Sequence, residues 1–236
     1  MTIKRTSCVL ISIVMLLSGL FCVPVYADVP NNADVKVIGH LVNIDTHEVI
    51  TIDEDDVVKT VKTLPSTYSL MGSMSNNSQN NTSQTIEYSF ALKFDPNNPT
   101  AAPMVFAEDK NDTKAKTDGS YSTRVTATAN YSLATINNWV CVKLNSVSAK
   151  FERLDPTVQV TDKIIEFGQY GDIPTGGYFE KSYSYPVSGW SAAYTTNFSD
   201  YIIAWDSHAC NCYAACTVSR GGSTWYLDVT ASADID

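Results

Sequence analysis

The chain has 236 residues, 44% of them hydrophobic, with 16 Lys and Arg against 25 Asp and Glu and a formal charge of −9. That balance repels nucleic acid, anionic lipid and anionic wall polymers, which excludes functions that need a basic surface. The length suffices for one large or two small domains, each burying its own core.

Residues 1–27 read as a cleaved secretory signal peptide. Lys4 and Arg5 precede an apolar run from Cys8 to Val23, Pro24 ends it, and Val25 and Ala27 place small residues where a signal peptidase reads. A membrane-spanning helix wants about 20 uninterrupted apolar residues, and Ser12, Ser18 and Gly19 interrupt this shorter run. Phe21 precedes Cys22 where a lipid-attachment signal has a small residue, so no membrane anchor is expected. Removing this segment, whose only charges are Lys4 and Arg5, leaves 209 residues and a charge of −11. The expected location is secreted, extracellular.

Residues 28–65 read as a small N-terminal β/helix unit. Asp34–Asn43 and Glu48–Ile52 have strand character; Asp53 to Asp56 then lead into Val57, Val58, Val61 and Leu64, a helical spacing that Asp53 can cap and Pro65 can stop. Residues 66–85, rich in Ser, Asn and Gln, read as a flexible polar linker.

From Ile86 onward the alternation has period 2. Ile86, Tyr88, Phe90, Leu92 and Phe94 share one face, as do Val125, Ala127, Ala129, Tyr131 and Leu133. Val140, Val142 and Leu144, and Trp225, Leu227 and Val229, repeat the pattern, while Gly221-Gly222 reads as a hairpin turn. Asp155-Pro156, Gly168 to Gly177 and Ser188-Gly189 mark further turns. Half-buried strands at such spacing predict an all-β chain: an antiparallel β-sandwich over residues 86–236, with a β-barrel as the alternative closure.

Four cysteines remain after the signal: Cys141, Cys210, Cys212 and Cys216. An oxidising destination makes two disulfides the expectation, Cys141 with Cys210 or Cys212, and Cys216 with the other. A zinc site using these thiols or His208 lacks the paired Cys-x-x-Cys spacing, so no metal and no cofactor are expected. Asp206, Ser207 and His208 are adjacent in sequence, unlike triad members, which converge from separate elements. In the acidic loop that starts at Asp109, Lys114 and Ser120 stand where a calcium loop needs Gly and Glu.

Aromatic residues crowd the segment from Tyr178 to Trp205, and Tyr183, Tyr185, Trp190 and Tyr194 are its candidate binding residues. Export, sheet and aromatic surface without an assembled reactive group point to a non-catalytic binding or interaction module with a glycan or protein ligand. A secreted toxin or bacteriocin-like effector is the alternative. An extracellular hydrolase using Glu166, Asp172 or Glu180 is the third reading.

Overall fold

The computed structural model describes residues 36–65, 82–95, 97–98, 101–107, 121–204 and 210–233. The signal segment, most of the polar linker, the acidic loop and Asp206 to His208 lie outside them. The strands are β1 (Val37–Asn43), β2 (Val49–Asp53), β3 (Val58–Pro65), β4 (Thr82–Lys93), β5 (Met104–Phe106), β6 (Thr123–Ile136) and β7 (Trp139–Arg153). They continue as β8 (Gln159–Asp172), β9 (Tyr178–Pro186), β10 (Ser191–Thr195), β11 (Ile202–Ile203), β12 (Cys210–Arg220) and β13 (Ser223–Ser232).

They form two antiparallel sheets packed face to face, a β-sandwich rather than a closed barrel. Sheet A has the order β2-β1-β13-β12-β8-β9 and sheet B the order β10-β7-β6-β4-β3, with β11 extending the β7 edge and β5 the β4 edge. Strand β13 lies against β4 and β6, β12 against β6 and β7, and β8 against β7. The alternating residues meet between the sheets: Ile86, Tyr88, Phe90 and Leu92 face Trp225, Leu227 and Val229, all fully buried. At the end of the β7 pattern, Val140 is 49% exposed.

Two hairpins have mirror-image turns whose twist matches that of their strands. Gly221 and Gly222 join β12 to β13 with φ of 60° and 88°. Asn137 and Asn138 do the same between β6 and β7, with φ of 52° and 67°. Gly168 and Gly171 lie within β8, and the turn after it runs from residue 173 to residue 177.

The N-terminal region differs from expectation in three ways. Residues 36–65 are no separate unit, because β1 pairs with β13 in sheet A and β3 pairs with β4 in sheet B. The predicted helix is a single 3₁₀ turn, Glu54–Asp56, followed by strand. Asp53 caps that turn as expected, accepting from the Asp55 N–H at 3.0 Å. Beyond it the β-branched residues Val58, Thr60, Val61 and Thr63 favour the extended chain, and eight residues of β4 pair with them. The apolar positions at helical spacing share no buried face, since Val57 is buried while Val61 is 50% and Leu64 62% exposed. Finally, residues 82–85, read as linker, begin β4 and pair with both β3 and β6.

The predicted disulfides do not form: Cys141, Cys210, Cys212 and Cys216 are free, buried thiols. Strand geometry supplies the reason. Cys210, Cys212, Ala214, Cys216 and Val218 alternate onto the core face of β12. Cys212 and Cys216, four residues apart on one strand, are separated by about 13 Å, beyond disulfide reach. Cys141 sits between Val140 and the core-facing Val142 on β7, so its side chain projects from the opposite face and bonds the Trp139 carbonyl at 3.4 Å. The interior thiols act as small apolar residues where the sheets approach, and Cys212 Sγ reaches the Ser148 carbonyl of sheet B at 3.6 Å.

Burial pushes the Cys210, Cys212 and Cys216 thiols from the usual 9.0 up to about 12. The folded state therefore favours the neutral thiol, and its advantage is complete below about pH 9 and lost as pH rises toward 12. The urea midpoint should fall steadily between pH 9 and 11. Alkylation mapping should find the four residues unreactive in the native protein and all four free after unfolding without reductant. A disulfide-linked peptide containing any of them contradicts this arrangement.

Candidate functional site

Strands β9 and β10 are edge strands of the two sheets and follow one another in the chain, so they line the same open side of the sandwich. On β9, Phe179, Lys181, Tyr183 and Tyr185 share the face that carries Ile165 and Phe167 on β8, with Tyr183 opposite Phe167. On β10, Tyr194 stands opposite the buried Val147 and so also turns inward.

The rings form a connected row. Tyr185 and Tyr194 stack with centroids 4.8 Å apart, Tyr183 and Tyr185 lie 6.2 Å apart at 8°, and Phe198 stacks on Tyr183 at 6.1 Å. Phe167 forms the floor, within 6.0 Å of Tyr183, Tyr185 and Tyr194. Phe167 is buried, whereas Tyr183 is 40% and Tyr185 37% exposed, because no described strand lies beyond β9 to cover them. Phe167, Tyr183, Tyr185 and Tyr194 line a depression of about 220 Å³ with Thr195, Thr196 and Asn197. Three of the four sequence candidates thus converge. Trp190 stands apart, with the Lys163 ammonium 4.8 Å from its ring centroid.

The segment carrying Asn197 and Phe198 is tied to the core by polar groups. An extra residue at Asn145 bulges β7, and the Thr196 hydroxyl bonds the carbonyls of Leu144 and Asn145 there. Gln169, fully buried on the inner face of β8, accepts the Leu144 N–H at 2.8 Å and donates to the Asp200 carbonyl at 2.7 Å. One side chain thus satisfies backbone groups of β7 and of the segment after β10, and holds that segment, which carries Phe198, against β8. Gln169 and Phe167 escape a reading of the aromatic-rich segment because both precede it on β8. Their signal is a polar residue continuing the buried alternation of Ile165 and Phe167.

The outer faces of the sheets carry polar clusters. On sheet A, Glu166, Tyr170, Ser182, Ser184, Asn211 and Tyr213 border a depression of about 580 Å³. The Ser184 hydroxyl donates to Glu166 at 2.7 Å, and the hydroxyls of Tyr213 and Tyr226 meet at 3.1 Å. Burial pushes the Asp228 carboxyl up against the opposing effect of His40, whose N–H it accepts at 3.0 Å. Burial likewise raises both tyrosine hydroxyls. On sheet B, Arg124 is only 3% exposed beneath a depression of about 450 Å³ and donates to Glu152 at 3.3 Å. Burial opposes ionisation of Glu152, yet Lys150 and Arg124 together hold its carboxyl below the ordinary range.

The three carboxylates of the hydrolase reading are spread along one hairpin. Glu166 stands opposite Ser184, Asp172 opposite Tyr178 and Glu180 opposite Tyr170, and only Glu166 borders the sheet A depression. Among the described residues, no group of three or more His, Cys, Asp or Glu is placed to hold a metal ion, and no helix is long and apolar enough to cross a membrane. His47 occupies the β1–β2 turn with φ of 59°. Comparison of the chain with protein-family models, with curated proteins and with solved structures finds no match.

Proposed function

We propose that the protein is exported and acts outside the cell as a non-catalytic β-sandwich binding module whose ligand surface is the aromatic edge between β9 and β10. The observation that carries this reading is the half-exposed row of Tyr183, Tyr185 and Tyr194 over a buried Phe167 floor. Large apolar surface left exposed and rimmed by polar groups marks an interaction site. Ring faces suit the CH faces of pyranoses, and Thr195, Thr196 and Asn197 offer hydroxyl and amide partners at the same depression. The charge of −11 left after removal of residues 1–27 disfavours anionic polymers, so the ligand class that fits is a neutral glycan. Export is supported by the basic, apolar and small-residue succession of residues 1–27.

Isothermal titration with cellohexaose, chitohexaose and xylohexaose tests the binding surface. At least one should bind saturably, and Tyr183→Ala and Tyr185→Ala should each weaken that binding at least tenfold while Trp190→Ala leaves it within about threefold. Heat from none of the three, or binding that survives both tyrosine substitutions, overturns the reading. For export, the mass of protein released into the medium should correspond to a chain beginning at Asp28. A released chain still carrying Lys4 and Arg5 contradicts cleavage.

A further inference from the structure

Strand β9 ends sheet A, and its hydrogen-bonding phase follows from two bonds that flank it. The Ile173 N–H donates to the Gly177 carbonyl at 2.9 Å at one end of the β8–β9 ladder, and the Val187 N–H donates to the Lys163 carbonyl at 2.7 Å at the other. Both pairs belong to the register that sets Gly168 opposite Ser182. Antiparallel ladders alternate bonded and non-bonded pairs, so odd-numbered residues of β9 bond to β8. Tyr178, Glu180, Ser182 and Ser184 therefore turn their N–H and C=O groups outward, and Pro186 its carbonyl alone. No described strand takes these groups. A nine-residue edge left open among the described residues is a template for another strand.

We propose that this edge pairs antiparallel with the same edge of a second copy, about a two-fold axis that passes between the two Ser182 residues. Ser182 is the midpoint of Tyr178–Pro186, so all nine residues find partners. The register is complementary at every position. Glu180 meets Ser184 of the other copy, whose single O–H, donated to Glu166 at 2.7 Å within its own copy, can turn to Glu180 instead. Lys181 meets Tyr183, Phe179 meets Tyr185, and Tyr178 donates its N–H to the Pro186 carbonyl. No like charges stand opposite.

An inward-pointing lysine on an edge strand is a common guard against such pairing. Here Lys181 Nζ already lies over the Phe179 ring, 5.4 Å from its centroid, and the second copy brings a tyrosine face to the same ammonium. The other long edge is guarded more heavily: β3 carries Lys59 and Lys62 and ends in Pro65. Edges β2 and β10 have five residues each. Pairing at β9 also joins the two aromatic rows across the axis, so a ligand longer than one depression meets both. The seam itself stands without the glycan reading, because its test reads strand register and not ligand binding.

Cysteine cross-linking of the full chain in a Cys8→Ser, Cys22→Ser background reads that register. In the proposed pairing Ser182 lies about 5.5 Å, Cα to Cα, from its own copy, within disulfide range. Glu180 lies opposite Ser184, and so about 13 Å from the other Glu180. Ser182→Cys should oxidise to a covalent dimer as the major species. Glu180→Cys and Ser184→Cys should remain monomeric alone and cross-link when mixed. Ser182→Pro removes the central outward N–H without touching a bond to β8, so it should remain folded, with a thermal midpoint that no longer depends on protein concentration, and sediment as a monomer while the parent sediments as a dimer. A parent that sediments as a monomer throughout overturns the proposal. So does a Glu180→Cys chain that cross-links to itself as readily as Ser182→Cys.

Discussion

The aromatic edge depends on one buried amide. Gln169 sits on the core face of β8, fully enclosed, where it continues the buried alternation of Ile165 and Phe167. The bulge at Asn145 interrupts the β7 ladder and leaves the Leu144 N–H facing the interior, and Gln169 supplies its acceptor. The same amide holds the Asp200 carbonyl, closing the segment that carries Asn197 and Phe198 down onto the sandwich. Without a partner each of these groups would cost about 1–3 kcal/mol in the core. Together with the Thr196 hydroxyl, which bonds the Leu144 and Asn145 carbonyls, this amide couples the bulge to the return of the chain after β10 and to the position of Phe198.

The middle of the sandwich follows another constraint, the size of the residues that face each other. Cys210, Cys212, Ala214 and Cys216 of β12 look toward β6 and β7, whose inner faces include Ala127, Ala129 and Ala149. Small faces small, and the sheets come close enough for a thiol of one to touch a carbonyl of the other. The large side chains lie to either side, Trp225 and Tyr88 in one direction and Phe167 in the other. Gly39 shows the same economy at the β1–β13 pair, where a Cβ would collide with the Asp228 carbonyl.

Much of the sheet architecture is legible in the order of residues, because a strand with one buried face repeats every two residues. Ile86 to Phe94, Val125 to Tyr131 and Trp225 to Val229 all fall on the faces that their alternation predicts. Gly221-Gly222 marks its hairpin for an equally local reason, tolerance of positive φ. Residues 57–64 mislead because four apolar positions match a helix while the β-branched residues among them match a strand, and a waiting partner, β4, decides the outcome. The cysteines mislead for a different reason. Composition and destination argue for bridges, but pairing depends on which face of which strand each thiol leaves, and Cys141 leaves by the other one. Of the site, Tyr183, Tyr185 and Tyr194 are visible as a cluster in sequence. Their floor, Phe167, becomes visible only through the β8–β9 register.

Replacing Gln169 by leucine, which is similar in volume and has no polar atoms, probes the amide most directly. Denaturant unfolding of Gln169→Leu should show a loss of about 2–6 kcal/mol, the sum of two orphaned backbone groups, together with loss of the Phe198–Tyr183 contact in the nuclear Overhauser spectrum. A variant as stable as the parent that retains this contact would show that the edge is held by its rings alone, and would contradict the account.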